Sequence, residues 1–185
     1  MQAHVLAAIF LLFMGGIRLP ARISPPIYAT CQSIRQFLSS RERIWTVRTN
    51  KRANIYCKAD IVWSIGQFAV GFNRTLLQNE RRISVQLLGH IDRQHAGRMA
   101  VFPIVPIPRP ISIETLVYKA PNSACAVVHV NSLLAGVRPH YELRVKSPFL
   151  WRGPQEDCER QFSFVAPDGR IIYNRTCLFR LRPTP

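Results

Sequence analysis

Glu142 and Arg144 stand two residues apart in the run Tyr141 to Val145. In an extended segment such residues share a face, so a carboxylate and a guanidinium lie side by side. A guanidinium holds a ligand carboxylate in a fork, and a carboxylate in an apolar site offsets the desolvation of a protonated amine. Both are binding chemistries. His129 lies between Val128 and Val130, with its side chain on the opposite face from theirs. It either looks into a cavity or is a satisfied strand histidine. Tyr118, near the end of the run Ile113 to Lys119, is a further candidate ligand contact. His90, Asp92 and His95 could be imagined around a metal, but their spacing fits no standard ligand pattern, and the polar stretch from His90 to Met99 reads as a solvated loop. There is no HExxH, no GxSxG, no glycine-rich phosphate loop and no clustered carboxylate pair. The sequence therefore predicts no enzyme, no cofactor and no metal.

The elements that must position these residues read as strands. Ile113 to Lys119, Ala124 to Val130 and Tyr141 to Val145 are short, rich in β-branched or aromatic residues and bounded by Pro, Asn, Ser or Gly. In the last run Tyr141, Leu143 and Val145 alternate with Glu142, Arg144 and Lys146, which predicts one apolar face on a core and one wet face. If Leu143 faces the core, Arg144 faces out. Earlier strands are predicted from Ile44 to Arg48, from Ile55 to Ile65, from Phe68 to Asn73 and from Ile83 to Gly89. Ser33 to Leu38 reads as a short helix with Ile34, Phe37 and Leu38 on one face. Trp45 reads as a core residue at the closed end of the sheet. VFPIVPIPRP, from Val101 to Pro110, carries Pro103, Pro106, Pro108 and Pro110 and reads as polyproline or an irregular crossing rather than a central strand. Gly153-Pro154 starts a helix whose first turn is acidic and whose Cys158, Phe162 and Val165 share a face. A last strand follows from Ile171 to Tyr173.

A chain of 185 residues suits one domain with a sizeable core. The net charge of +15 favours anionic partners or simply a soluble surface. Val5 to Met14 is an apolar run too short to span a bilayer, and reads as the core of a secretory signal. Residues 1–29 are assigned to signal and processing, with Ala21 and Ala29 as cleavage points, and residues 30–185 to the mature domain. No transmembrane segment is predicted, so a secreted protein, taken as a monomer, is expected. Asn73-Arg74-Thr75 and Asn174-Arg175-Thr176 are glycosylation sequons, the first placed on a surface loop. Five cysteines allow 5 × 3 = 15 arrangements of two bridges.

The pieces ETLVY, CAVVHV, YELRVK and GP-x-x-x-CE-x-x-F (Gly153, Pro154, Cys158, Glu159, Phe162), preceded by IRQFLSS, IWTVRT and YCKADI, occur in an order and spacing that resembles the tick salivary lipocalins, the family that includes histamine-binding proteins. The resemblance runs from about Ile34 to Cys177. It implies an all-β fold: an eight-stranded antiparallel barrel, closed so that no edge is exposed, with a short N-terminal helix, a C-terminal helix packed outside and a ligand cavity within. It implies bridges Cys57–Cys177 and Cys125–Cys158, leaving Cys31 over.

The resemblance also implies a ligand set. Amine-binding members have Cys-Asp-aliphatic and Glu-Leu-Trp/Tyr where this chain has Cys125-Ala126-Val127 and Glu142-Leu143-Arg144. Ala126 lacks the acid and Arg144 the aromatic face that a protonated amine uses. Weak or absent binding of histamine and serotonin is expected, and Arg144 would suit a carboxylate. The expected function is sequestration of small hydrophobic or amphipathic host mediators, eicosanoids or fatty acids ahead of biogenic amines. The alternative is a basic outer surface engaging heparin-like glycans or host complement and clotting proteins. Nucleic acid is not among the expected partners.

Overall fold

The computed structural model describes residues 33–182. The segment expected to be a signal and Cys31 lie outside the described residues. The runs of β-branched and aromatic residues form strands β1 (Ile44–Thr49), β2 (Ile55–Ile65), β3 (Ala69–Gln78), β4 (Arg81–Ile91), β5 (Arg98–Pro103), β6 (Ser112–Lys119), β7 (Cys125–Ser132) and β8 (His140–Lys146). Each pairs antiparallel with its chain neighbour, and β1 also pairs with β8, which closes an eight-stranded barrel. Helix α1 (Ile34–Leu38) precedes β1. A 3-10 turn (Ser147–Arg152), helix α2 (Glu156–Val165), the two-residue strand β9 (Arg170–Ile171) and helix α3 (Cys177–Arg180) follow β8.

The wall is sealed in an unusual way between β1 and β2. They pair only at Ile44↔Asp60 and Trp45↔Ala59. Beyond that the chain of β2 bends at Cys57, whose φ is +51°. The C-terminal segment fills the gap: β9 pairs with Arg48 and Thr49. Ile172 then donates its N–H to the Val47 carbonyl and accepts from the Cys57 N–H, at 3.0 and 2.8 Å. The disulfide Cys57–Cys177 fixes this wedge, and Cys125–Cys158 ties α2 to β7.

Two apolar clusters result. Phe162 and Cys158 of α2 pack with Leu143, Val145, Val127 and Trp45 between the helix and the barrel wall. Ile34, Phe37 and Leu38 of α1 meet Ile44, Phe72, Leu87 and Met99 and plug one end of the barrel. Trp45 is thus a core residue, but in the layer under α2 and not in the plug.

Several expectations are corrected. Val101–Pro103 belong to a continuous wall strand, because β5 pairs with both β4 and β6 and its one proline stands at the strand end, where a missing N–H is tolerated. The other prolines occupy the loop that follows. Asn73 lies inside β3 rather than on a surface loop, half-buried and with its side-chain oxygen without a partner among the described residues. Strand β3 runs five residues past Asn73, from Arg74 to Gln78, because it stays paired with both β2 and β4 as far as Gln78. The second sequon lies on an exposed turn, where the Asn174 side-chain Oδ1 accepts from the Thr176 N–H at 3.0 Å. His90 lies in β4, not in a loop, and packs on Phe102, while Asp92 caps the β4–β5 turn by accepting from the N–H groups of Gln94 and His95.

Candidate functional site

Charged residues spaced by two on the inward faces of four strands meet in the middle of the barrel. Strand β2 supplies Lys58 and Asp60, β3 Arg74, β6 Glu114, and β8 His140, Glu142 and Arg144. The polar face of β8 therefore looks inward and its apolar face, Leu143 and Val145, is covered by α2. The expectation that Leu143 on a core sends Arg144 to solvent fails here, because a closed barrel with a helix on its wall buries both faces of β8.

The geometry is tightly paired. Arg144 donates to Glu142 Oε2 from Nε and Nη2, at 2.9 and 2.7 Å, and to Glu114 Oε2 from Nη1 at 2.7 Å. Arg74 grips Asp60 in a fork at 2.8 Å on each oxygen and reaches Glu114 Oε1 at 2.9 Å. Glu114 is thus the bridge between the two arginines. Lys58 Nζ pairs with Glu142 Oε1, and His140 Nε2 stands 3.4 Å from the same oxygen. Three carboxylates, Asp60, Glu114 and Glu142, face Lys58, Arg74 and Arg144, so their charges cancel while Lys58 is protonated.

Burial alone would push the carboxyls up. The cations win: Arg144 and Arg74 hold Glu114, and Lys58 and Arg144 hold Glu142, well below the ordinary carboxylate range. Lys58 moves the other way. Burial, with repulsion from Arg74, outweighs Glu142 and lowers its ammonium from 10.5 to about 8.

A cavity of about 190 Å³ lies next to this network. Its polar lining comes from the basic residues Lys51, Lys58, Arg74 and His140 and from Ser112 and Ser132. Its walls are apolar, from Leu76, Ile83, Val85 and Leu87 on one side to Ile111 and Val130 on the other. No carboxylate lines it; Asp60, Glu114 and Glu142 sit behind the cations.

Of the four ligand contacts expected from sequence, Arg144 and Glu142 reach the barrel interior and Tyr118 and His129 do not. Arg144 has its donors engaged by Glu114 and Glu142. Tyr118 donates its hydroxyl to Asp157 of α2 at 2.6 Å. His129 is half-buried on the outer face against Tyr141, 4.8 Å between ring centres. Both are corrections of the same kind: a bulge between Leu116 and Tyr118 turns Tyr118 outward, and the face of β7 opposite Val128 and Val130 is the α2 side. Lys58, Asp60, Arg74, Glu114 and His140 were missed. The signal for them was a charge inside an otherwise apolar strand, as in Lys58 and Asp60 of YCKADI.

No family model matches the chain. No curated protein matches it either. Solved structures do. The chain superposes on a deswapped triple mutant of bovine odorant-binding protein with a TM-score of 0.51 and 13% identity, over 80% of this chain and 99% of that one. It superposes on lobster apocrustacyanin A1 with a TM-score of 0.51 and 7% identity, covering 79% and 83%, and on apocrustacyanin C2 with 0.50 at the same identity and coverage. The fold is that of the lipocalins. At such identities the likeness concerns the fold alone. The lipocalin barrel of this chain differs from a simple apolar cup in that an ion network occupies its centre.

Proposed function

We propose that this lipocalin binds a small amphipathic anion in its barrel, head toward Lys58, Arg74 and His140 and tail against Ile83, Val85 and Leu87. The observation that carries this is the cavity lining, which has basic residues and serines but no carboxylate in its polar part and is apolar elsewhere. A buried cation beside an apolar wall is the arrangement that offsets the desolvation of an anionic head group. An amine would meet Lys58 and Arg74 before any carboxylate, which favours fatty acids or eicosanoids over histamine or serotonin. The volume is below the roughly 300–1,000 Å³ common for ligand pockets, so a long chain would leave its tail in the open mouth. Arg144 and Glu142 then act as positioning residues that hold the network rather than as ligand contacts. The wider role, a secreted salivary protein that captures a host mediator stoichiometrically, draws support from the two disulfides, which persist in oxidising compartments, and from the ordered motif resemblance.

Calorimetric titration with decanoate, decylamine and histamine tests the reading. Decanoate alone should bind. Val85→Trp, which fills the wall at the mouth without touching the network, should weaken decanoate by tenfold or more. Binding of decylamine or histamine without decanoate would refute the anion reading.

A second reading has its own observation. Arg43 and Arg82 flank a small outer depression with Thr75 and Ser84. Burial and the Arg82 charge lower the Arg43 guanidinium, the sign of two cations close together without a carboxylate. A sulfated glycan, or an acidic patch on a plasma protein, would fit there. Salt-sensitive heparin retention lost in Arg43→Gln would support it.

A further inference from the structure

The connections at the cavity mouth are the turns β1–β2, β3–β4, β5–β6 and β7–β8, since α1 and the β4–β5 turn plug the other end. Two of these turns present large apolar side chains to solvent. Ile104, Val105 and Ile107 stand in the β5–β6 loop, Ile107 at 82% exposure, and Leu133 and Leu134 in the β7–β8 loop. The loops are joined where Leu133 donates its N–H to the Ile111 carbonyl at 2.9 Å, and Ile104 is tied to β4 by its N–H on the Gln86 carbonyl. Pro106, Pro108 and Pro110 fix the backbone of the first loop. Large apolar residues clustered on a protein surface mark an interaction site.

Cations surround these tips. Lys51 and Arg52 lie in the β1–β2 turn, Arg109 in the proline loop and Arg138 in the β7–β8 loop, and none of the four has an ion-pair partner among the described residues. Two carboxylates stand at this end: Glu80 pairs with Arg180, and Asp168 accepts from Asn50 in the depression that Lys51, Arg52 and Arg138 also line, one acid against three bases. The plugged end also has exposed aromatics, but they are covered or laid flat. Arg93 stacks on Phe68 at 5.0 Å, and the Trp63 ring lies across Gly71.

We propose that the mouth of the barrel docks on an anionic lipid bilayer, with Ile104, Ile107 and Leu134 entering the head-group layer and Lys51, Arg52, Arg109 and Arg138 meeting the lipid charges. Apolar tips ringed by basic residues are the surface that inserts shallowly into a charged interface. Docked this way, the cavity opens onto the phase where amphipathic anions dissolve. That consequence rests on the cavity reading above, whereas the docking does not.

Sedimentation with vesicles of phosphatidylcholine alone, or with one third phosphatidylserine, tests this without added ligand. Retention is expected on the phosphatidylserine vesicles, little on the neutral ones, and it should fall as salt rises. Arg109→Gln with Arg138→Gln should lower partitioning roughly twenty- to thirty-fold, about fivefold for each cation. Ile104→Asp with Ile107→Asp should lower it at least tenfold, with little change in melting temperature, because both side chains are half or more exposed. Arg93→Glu at the plugged end should change it less than twofold. No retention, or retention indifferent to both rim variants, overturns the proposal. Self-association abolished by Ile107→Asp, with no vesicle binding, assigns the rim to a second copy and overturns it too. Decanoate affinity measured in solution is independent, so loss of either result leaves the other readable.

Discussion

Lys58 is where the chemistry of the barrel can be read by titration. Its ammonium releases a proton near pH 8 in the folded chain and near 10.5 when unfolded. Between these values the unfolded chain binds more protons, so this group makes stability rise with pH through that window. Denaturation midpoints measured from pH 7.5 to 10 should show the rise, and Lys58→Met should abolish it. Affinity for decanoate should move the opposite way and fall above pH 8, as the cation beside the head group is lost. The carboxyls behave conversely. Glu114 and Glu142 are depressed, so their contribution is complete above the ordinary carboxyl range and is lost as pH falls below about 4.5. Glu114 bridges two arginines, and Glu114→Gln leaves both short of a carboxylate. Breaking one partner of a buried network costs about 3–5 kcal/mol, and urea unfolding of the variant should show a loss of that order.

At the scale of elements, the seam between β1 and β2 is the weak line of the wall. Two residue pairs and the β9 wedge hold it, and Cys57–Cys177 holds β9. Replacing both cysteines by serine should cost about 2–5 kcal/mol and speed amide exchange first at Ile172 and at the serine in place of Cys57, whose N–H groups cross the seam. Uniform destabilisation with no local exchange would mean that β9 stays in place without its bridge. The wedge also shows what a linear reading can miss. The strands were legible because alternation and turn residues are local properties. The pairing of β9 with Arg48 depends on a bend at Cys57 that no local pattern announces. The interior charges escaped for a related reason: Glu142 and Arg144 look like a wet face until α2 is seen covering Leu143. In β3, Arg74 was hidden in a sequon, and the apolar run Val101–Pro103 was discounted because of prolines that come after it. Arg144 was singled out, and it does point inward, but the Glu114 and Glu142 carboxylates that occupy it come from β6 and from its own strand. Their approach is a tertiary fact.

For the whole molecule, the ion network sets how the barrel holds together. It draws on β2, β3, β6 and β8, strands separated by up to 86 residues between Lys58 and Arg144. A half-closed barrel would leave a buried charge without its partner, so the transition should be cooperative, with fluorescence and far-ultraviolet circular dichroism giving one midpoint. The net charge of +15 acts outside this neutral centre. Raising salt should therefore weaken contacts with anionic surfaces while leaving the buried pairs largely unscreened.

The disulfide between Cys57 and Cys177 spans 120 residues and makes most of the domain one covalent ring. A protease that cuts once at the exposed tip near Ile107 would open that ring without dividing the molecule. Both fragments would stay linked, and the strands on either side of the cut would stay paired with their neighbours. Nicked protein would migrate as an intact chain until a reducing agent is added, and then split in two. Damage at the most exposed part of the molecule would thus be borne without loss of the barrel.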